Sequence, residues 1–373
     1  MAKLYSDIRR FVYSDIPLNI ESLLLPFRYP TLFKYYNKTC KALVDRFIKD
    51  ERLKVVIAQF WPYYGLPLNK LSSVYFVFPS FDFFRNGGYY LKGGVQSITD
   101  ALLDSINEYG GKVLLNSKVT KIILENKNAK VVVIDKGEDF SANFFISNAD
   151  ARMTFFELIV KQYLPKRFLN RIRQMEPSIS IAQVYLGLNI DLKDLGFSDY
   201  EIFYNPHYDI DKQFAACSRE FDIKDALFCL TLYSNIDPDA APKGKFSMGI
   251  TFFSYYDSWA NLTREQYLQK KKTVSQELIK AAEKIIPNLS SYIEKTEVAT
   301  PLTMERYTGN YKGAVYGWSQ IPSQSGMSRL NNSAPVKNLY LASAWTRMGG
   351  GISMVLYSGE QAAEAILNKM KKG

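Results

Sequence analysis

Histidine is almost missing from this chain: His207 is the single one in 373 residues. A Ser/His/Asp or Cys/His arrangement needs an imidazole beside its nucleophile. His207 stands in Asn205-Pro206-His207-Tyr208, a turn-like run with no such neighbour, so a surface position is the expectation. Cysteine is scarce as well. Cys40, Cys217 and Cys229 are scattered, odd in number and without metal-ligand spacing, which argues against a disulfide framework or a metal site. A reducing, cytoplasmic compartment follows. The sequons Asn37-Lys38-Thr39 and Asn261-Leu262-Thr263 are then chance matches. No stretch approaches the ~18 apolar residues that span a bilayer, and Met1 to Asp7 has no apolar signal-peptide core. The chain is expected to be soluble or peripheral. Its longest lysine run is the triplet Lys270-Lys271-Lys272, read as the solvated face of a helix, so nucleic acid is not an expected partner.

What is abundant is aromatic and apolar. With 47% hydrophobic residues, 24 Phe, 26 Tyr and 4 Trp, the chain can bury a large core in two domains, or in one with a long insertion. An excess of 47 basic over 37 acidic residues gives a net charge of +10, which favours anionic surfaces. Residues 1–60 read as helices that interleave aromatic and aliphatic groups with Lys and Arg, broken at Leu23 to Pro30. Packing on their own domain is the first expectation for them. Peripheral contact with an anionic membrane is the second. Trp61 to Pro67 reads as a turn-rich linker.

The final thirty-six residues say the most. Asn338 to Ser343 reads as a buried strand, Gly349-Gly350-Gly351 as a turn without side chains, and Ile352 to Met370 as an amphipathic helix. Such a turn lets a bulky ligand touch the backbone, and the helix N-terminus behind it offers free N–H groups and partial positive charge to a flavin or a phosphate. A tight structural turn is the competing reading. Further back, Gly87-Gly88 and Gly93-Gly94 flank Tyr89 to Lys92, and a helix follows with Val95, Ile98, Leu102, Ile106 and Tyr109 on one stripe. Gly110-Gly111 ends it. Strands are expected at Lys112–Asn116, Val119–Leu124, Lys130–Ile134 and Phe144–Ser147, as in the second half of a dinucleotide-binding domain. Residues 151–300 read as a separate α+β region. Its helices fall at about 153–175 and 264–286, the latter capped by Thr263 and Gln266, and its strands at Ile179–Leu188, Leu227–Tyr233 and Phe246–Phe253. Aromatic side chains on those strands suit one wall of an apolar cavity. The fold class is mixed α/β.

Together these segments resemble the FAD-dependent family of phytoene (carotenoid) desaturases, carotenoid isomerases and retinol saturases. The pieces that match are Tyr64-Gly65-Leu66-Pro67, Gly88 to Gly94, Gly110-Gly111 followed by Val119, and Ile146-Ser147-Asn148-Ala149-Asp150. They continue with Tyr307, Gly313 to Gly317, and Asn338 to Leu341 with the glycine triplet. Their order and spacing agree over nearly the whole chain. The resemblance implies FAD stretched across a Rossmann-like domain, its ring facing a site for a long isoprenoid. Val119 would meet the adenine through its backbone, with Asn148 and Ala149 near the ADP half. Gly93 and Gly94 would allow close approach at the flavin end. Ser343, Ala344, Trp345 and Thr346, with Gly349, Gly350, Gly351 and Ile352, would line the isoalloxazine and ribityl chain.

The chain departs from that pattern twice. No G-x-G-x-x-G follows a strand, and Ala344-Trp345 stands where relatives carry Gly-Asp, Gly-Glu or Gly-Ala. The expectation is an incomplete FAD-binding domain with an interleaved substrate domain: 1–85 helical substrate part, 86–152 FAD part, 153–300 substrate domain and 301–373 C-terminal FAD part. Tight FAD binding is expected only with the nucleotide half present, supplied by a separate polypeptide or lost by truncation. The implied activity is desaturation, saturation or isomerisation of a long apolar isoprenoid. The alternatives are a non-catalytic isoprenoid or lipid carrier and a flavin amine oxidase. No residue stands out as a catalytic acid or base, and Glu305-Arg306 reads equally as a buried or a surface pair.

Overall fold

Where the sequence alternates or runs apolar between turn residues, the chain forms strands: β1 (Val119–Glu125), β2 (Asn128–Ile134), β3 (Asp139–Ser141), β4 (Phe145–Ser147), β5 (Ser180–Leu188), β6 (Glu201–Tyr204), β7 (Phe228–Thr231), β8 (Phe246–Ser254), β9 (Ile293–Ala299) and β10 (Leu339–Leu341). The structure is a computed structural model that describes residues 1–14, 18–217 and 222–371. The strands make an antiparallel five-stranded sheet in the order β6-β7-β8-β5-β9, a meander β1-β2-β3, and a parallel pair β10-β4.

Period-two alternation splits the large sheet into two unlike faces. Ala182, Val184, Leu186, Leu230, Met248 and Ile250 share one face and pack with Val274, Leu278 and Ala282 of the helix Arg264–Ala282. That helix starts at the expected capping box: Gln266 N–H donates to Thr263 Oγ1 at 3.3 Å and Thr263 N–H to Gln266 Oε1 at 2.9 Å. The other face carries Gln183, Tyr185, Glu201, Phe203, Cys229, Thr231 and Thr251.

Among the described residues of 1–60 the chain is largely helical, as expected: Ala2–Val12, Leu18–Arg28, Pro30–Tyr35, Cys40–Val44 and Glu51–Ile57. Trp61 to Pro67, however, is no linker: Trp61–Tyr64 is a 3-10 turn, Trp61 is fully buried, and its ring meets Phe253 at 5.5 Å. Pro and Gly punctuate buried tight turns as readily as exposed ones. The expected helix 153–175 is also broken, into a π-helical turn Met153–Leu158, a 3-10 turn Lys161–Tyr163 and the helix Lys166–Gln174. Pro165, which lacks an N–H and forces its predecessor out of the helical region, explains the last break.

The region after Gly88 differs most from expectation. The helix Gln96–Glu108 forms where the stripe predicts it, yet none of its residues is buried, and Tyr109 behind it is 86% exposed. Lys112–Asn116 forms no strand, and Leu115 is 78% exposed. A strand needs a ladder partner and an amphipathic helix needs a surface to cover. The described residues supply neither at this place. No described helix is long and apolar enough to cross a membrane.

Candidate functional site

The parallel pair β4–β10 positions the site. Their register is Phe145 with Leu339, Ile146 with Tyr340 and Ser147 with Leu341, and Ala342 N–H donates to Ser147 O at 3.0 Å. The carboxyl ends of the two strands therefore lie side by side, and the segments that leave them, from Asn148 after β4 and from Ala342 after β10, start from the same place. Ligands of open parallel sheets bind at such strand ends.

After β10 the chain is clamped before it reaches the glycines. Ser343 N–H donates to Ser358 Oγ at 3.2 Å, Thr346 Oγ1 donates to Ser343 O at 2.8 Å, and Thr346 Oγ1 and Ser358 Oγ share a hydrogen bond of 2.8 Å. Trp345 turns inward. It is buried edge-on against Trp318, ring centroids 4.6 Å apart, with Nε1 donating to Asn310 Oδ1 at 3.4 Å. Thr346 is fully buried too. These two residues hold the loop from behind, and their backbone is engaged as well: Trp345 N–H donates to Ser343 Oγ at 3.3 Å and Thr346 N–H to Ser343 O at 3.1 Å.

Arg329 ties the same loop to the neighbouring segment. Its guanidinium donates to Thr346 O at 2.7 Å, to Trp318 O at 3.0 Å and to Ala344 O. Burial pushes its pKa down to about 10, which leaves it charged at neutral pH.

The glycine triplet divides by function. Gly349 has φ +82°, and a Cβ there would clash with Gln320 Nε2 and stand 2.9 Å from the Tyr75 ring. At Gly350 a Cβ would come within 3.0 Å of Tyr316 Cα, and Tyr75 Oη donates to Gly350 O at 2.9 Å. The protein itself requires these two glycines. Gly351 is different: φ is +104°, nothing lies within 4 Å of a Cβ, and the residue is exposed. It caps the helix Ile352–Met370 with no side-chain hydrogen bond, and Ile352 and Ser353 after it are exposed. First-turn N–H groups there are ready to receive an anion or a polar ring edge.

Gly93 (φ +81°) and Gly94 (φ +77°) stand in a turn with space around them. Its hydrogen bonds are local, Gly94 N–H to Leu91 O at 2.8 Å and Ser97 Oγ to Gly94 O at 2.7 Å, and tie it to none of the residues above. Val119 opens β1, half-buried and paired with Ile134. The structure thus unites Asn148–Ala149, Ser343–Thr346 and Gly349–Ile352, and places Gly93, Gly94 and Val119 on separate elements.

Sequence reasoning missed Tyr75, Arg329 and Ser358. Tyr75 lies in an apolar run and Ser358 inside an apolar helix stripe, where pattern reading assigns packing. Glu305 accepts from Tyr256 Oη at 2.6 Å and from Lys312 N–H at 3.1 Å, while Arg306 lies 4.6 Å over the Tyr307 ring, so the two form no pair with each other. His207 sits at a helix start, Nδ1 accepting from Asp209 N–H at 3.1 Å. No cluster of metal-ligand type occurs among the described residues.

The donors at Ile352–Ser353 and the open Gly351 fit the ring end of a flavin. Nothing among the described residues supplies a diphosphate-binding glycine turn.

Comparison with known proteins identifies the family and the fold. The model of the family described as flavin containing amine oxidoreductase matches residues 27–367. The chain is 24% identical to 4,4'-diaponeurosporene oxygenase of Staphylococcus haemolyticus, over 89% of this chain and 64% of that protein. To the chloroplastic prolycopene isomerase of Daucus carota it is 25% identical, over 90% of this chain and 53% of that protein. It spans about half to two thirds of the length of these relatives. Among solved structures, an oxidoreductase from Methanosarcina mazei superposes with a TM-score of 0.61 at 16% identity, over 96% of this chain and 75% of the other. That likeness establishes the fold.

Proposed function

The chain belongs to the flavin-containing amine oxidoreductase family, and from that premise we propose that it is the larger part of an FAD-dependent desaturase, saturase or isomerase of a long apolar isoprenoid. The observation that carries this is the exposed Gly351–Ser353 turn at the carboxyl end of the parallel pair, in a chain whose relatives include a prolycopene isomerase and a diaponeurosporene oxygenase.

Gly351 and the N–H groups of Ile352 and Ser353 would hold the ring end of FAD. When bound, the flavin supplies hydride acceptance or donation. The chain's own residues orient and exclude water. Tyr75 fixes the Gly350 carbonyl, and Tyr64, edge-on to Tyr75 at 5.8 Å, extends an aromatic wall from there. Tyr316, whose Oη donates to Pro62 O at 3.1 Å, closes its base. Such a wall suits a polyene and needs no protein acid or base at the reacting carbons.

The diphosphate clamp comes from outside residues 1–373, on a separate polypeptide or a preceding segment. Support comes from the missing G-x-G-x-x-G, the uncovered helix Gln96–Glu108 and the unpaired Lys112–Asn116. The same features favour the carrier reading as the second choice.

Anaerobic mixing of the protein, loaded with oxidised or with reduced FAD in the presence of the clamp-bearing segment, with a long polyene tests the activity. Flavin absorbance is expected to change together with the polyene's conjugation, while putrescine leaves the flavin unaltered. The reverse outcome would make it an amine oxidase. Tight polyene binding with no flavin under any condition would make it a carrier.

Peripheral membrane contact belongs to the same proposal. Ile20, Leu23 (76% exposed) and Phe27 (82% exposed) share one helix face, flanked by exposed Arg28 and Lys34. Co-sedimentation with phosphatidylglycerol vesicles at low salt is expected, and is expected to be lost in Phe27→Glu. Protein that stays in the supernatant refutes the contact.

A further inference from the structure

One carboxylate on the second face of the five-stranded sheet has no cation to balance it among the described residues. Glu201, half-buried on β6, accepts from Tyr63 Oη at Oε2 and from Cys229 Sγ at Oε1, the latter at 3.1 Å. Among the described residues, no lysine, arginine or histidine lies within ion-pair distance of it. Both of its partners are neutral donors. Burial, reinforced by the Glu201 charge, pushes the Tyr63 phenol and the Cys229 thiol well above their ordinary pKa values, so neither ionises near neutral pH.

The surroundings are aromatic and partly open. Tyr63, 45% exposed, meets Phe203 edge-on at 5.5 Å and stacks with Phe60 at 5.8 Å, and Phe60 meets Phe83 and Phe84 at 5.1 and 5.3 Å. Phe84 is 59% exposed. A carboxylate can accept about four hydrogen bonds, and two donors leave roughly half of that capacity free. Apolar rings around it weaken solvent screening and raise the value of any donor that arrives.

The place is connected to the flavin end. Tyr63 follows Pro62, whose carbonyl accepts from Tyr316 Oη at 3.1 Å, and the Tyr316 backbone lies against Gly350. One tyrosine separates the glycine turn from the Pro62-Tyr63 pair that holds Glu201.

We infer that Glu201 recognises a hydrogen-bond-donating head, a hydroxyl or an ammonium, at one end of an apolar chain lying over Phe60, Tyr63, Phe83, Phe84 and Phe203. The inference rests on the reading of the chain as an isoprenoid-binding protein and narrows it: the preferred ligand is an apolar chain with a donor head, and a pure hydrocarbon or a terminal carboxylate is disfavoured.

The test is fluorescence titration of the full chain with three probes of one length: all-trans-retinol, its methyl ether, which keeps the chain and removes the donor, and retinylamine. Retinol is expected to bind about tenfold or more tightly than the ether, as a hydrogen bond to a charged acceptor implies. Glu201→Gln is expected to bring the two within about threefold, with the thermal midpoint of the protein unchanged. Retinylamine binding above retinol selects the ammonium; retinol equal or better selects the hydroxyl. Equal binding of all three overturns the inference and leaves the isoprenoid reading standing. No binding of any probe overturns both. The comparison of retinol with its ether on the unaltered chain decides even if Glu201→Gln fails to fold.

Discussion

Arg329→Met is expected to destabilise the chain by about 3–5 kcal/mol, a large share of the stability of a protein of ordinary marginality. The substitution keeps much of the side-chain volume but removes three charge-assisted hydrogen bonds to backbone carbonyls of Trp318, Ala344 and Thr346. Those carbonyls then stay buried without that donor, each at a cost of about 1–3 kcal/mol. Arg329→Lys keeps the charge yet cannot fork to three acceptors, so an intermediate loss is expected. Urea unfolding measures both. A midpoint unmoved by Arg329→Met would mean that the loop after β10 is held by the Ser343–Thr346–Ser358 hydrogen bonds alone.

The second large effect concerns FAD. Purified alone, the chain is expected to release FAD on gel filtration. Supplied with a polypeptide that contributes a strand, a G-x-G-x-x-G turn and a helix, it is expected to hold FAD at least about a hundredfold more tightly, because the diphosphate then gains two or more charge-assisted hydrogen bonds. The uncovered helix provides the control. Ile106 is exposed on it, so Ile106→Asp is expected to shift the stability of the lone chain by less than about 0.5 kcal/mol while abolishing the rescue. Stoichiometric FAD on the lone chain would refute the proposed division of the cofactor site. So would a large stability loss from Ile106→Asp without the second polypeptide, since it would show that the helix face is already covered.

Local pattern made much of the architecture legible. The alternation of Ser180–Leu188 and Phe246–Ser254, the Thr263–Gln266 capping box, and the passage from β10 through three glycines to a helix were all readable because each depends on neighbours a few residues away. Local pattern also misled at identifiable places. Trp61 to Pro67 carries linker chemistry but is buried apart from Tyr63, and Lys112–Asn116 carries strand chemistry but finds no ladder partner among the described residues. Trp345 and Thr346 stand in a site-like position but turn inward, because Trp318 and Ser358 offer them partners.

Strand periods, helix caps and the positions where the backbone needs glycine are written in the order of the residues, since these follow from sterics and hydrogen bonding over short spans. That Tyr75 holds Gly350 across 275 residues, that Arg329 gathers three carbonyls, and that Glu201 meets Tyr63 across 138 emerges with the packed chain alone. Such contacts depend on how separated segments pack against one another. No short-range preference encodes which polar group will find which partner once water has been excluded.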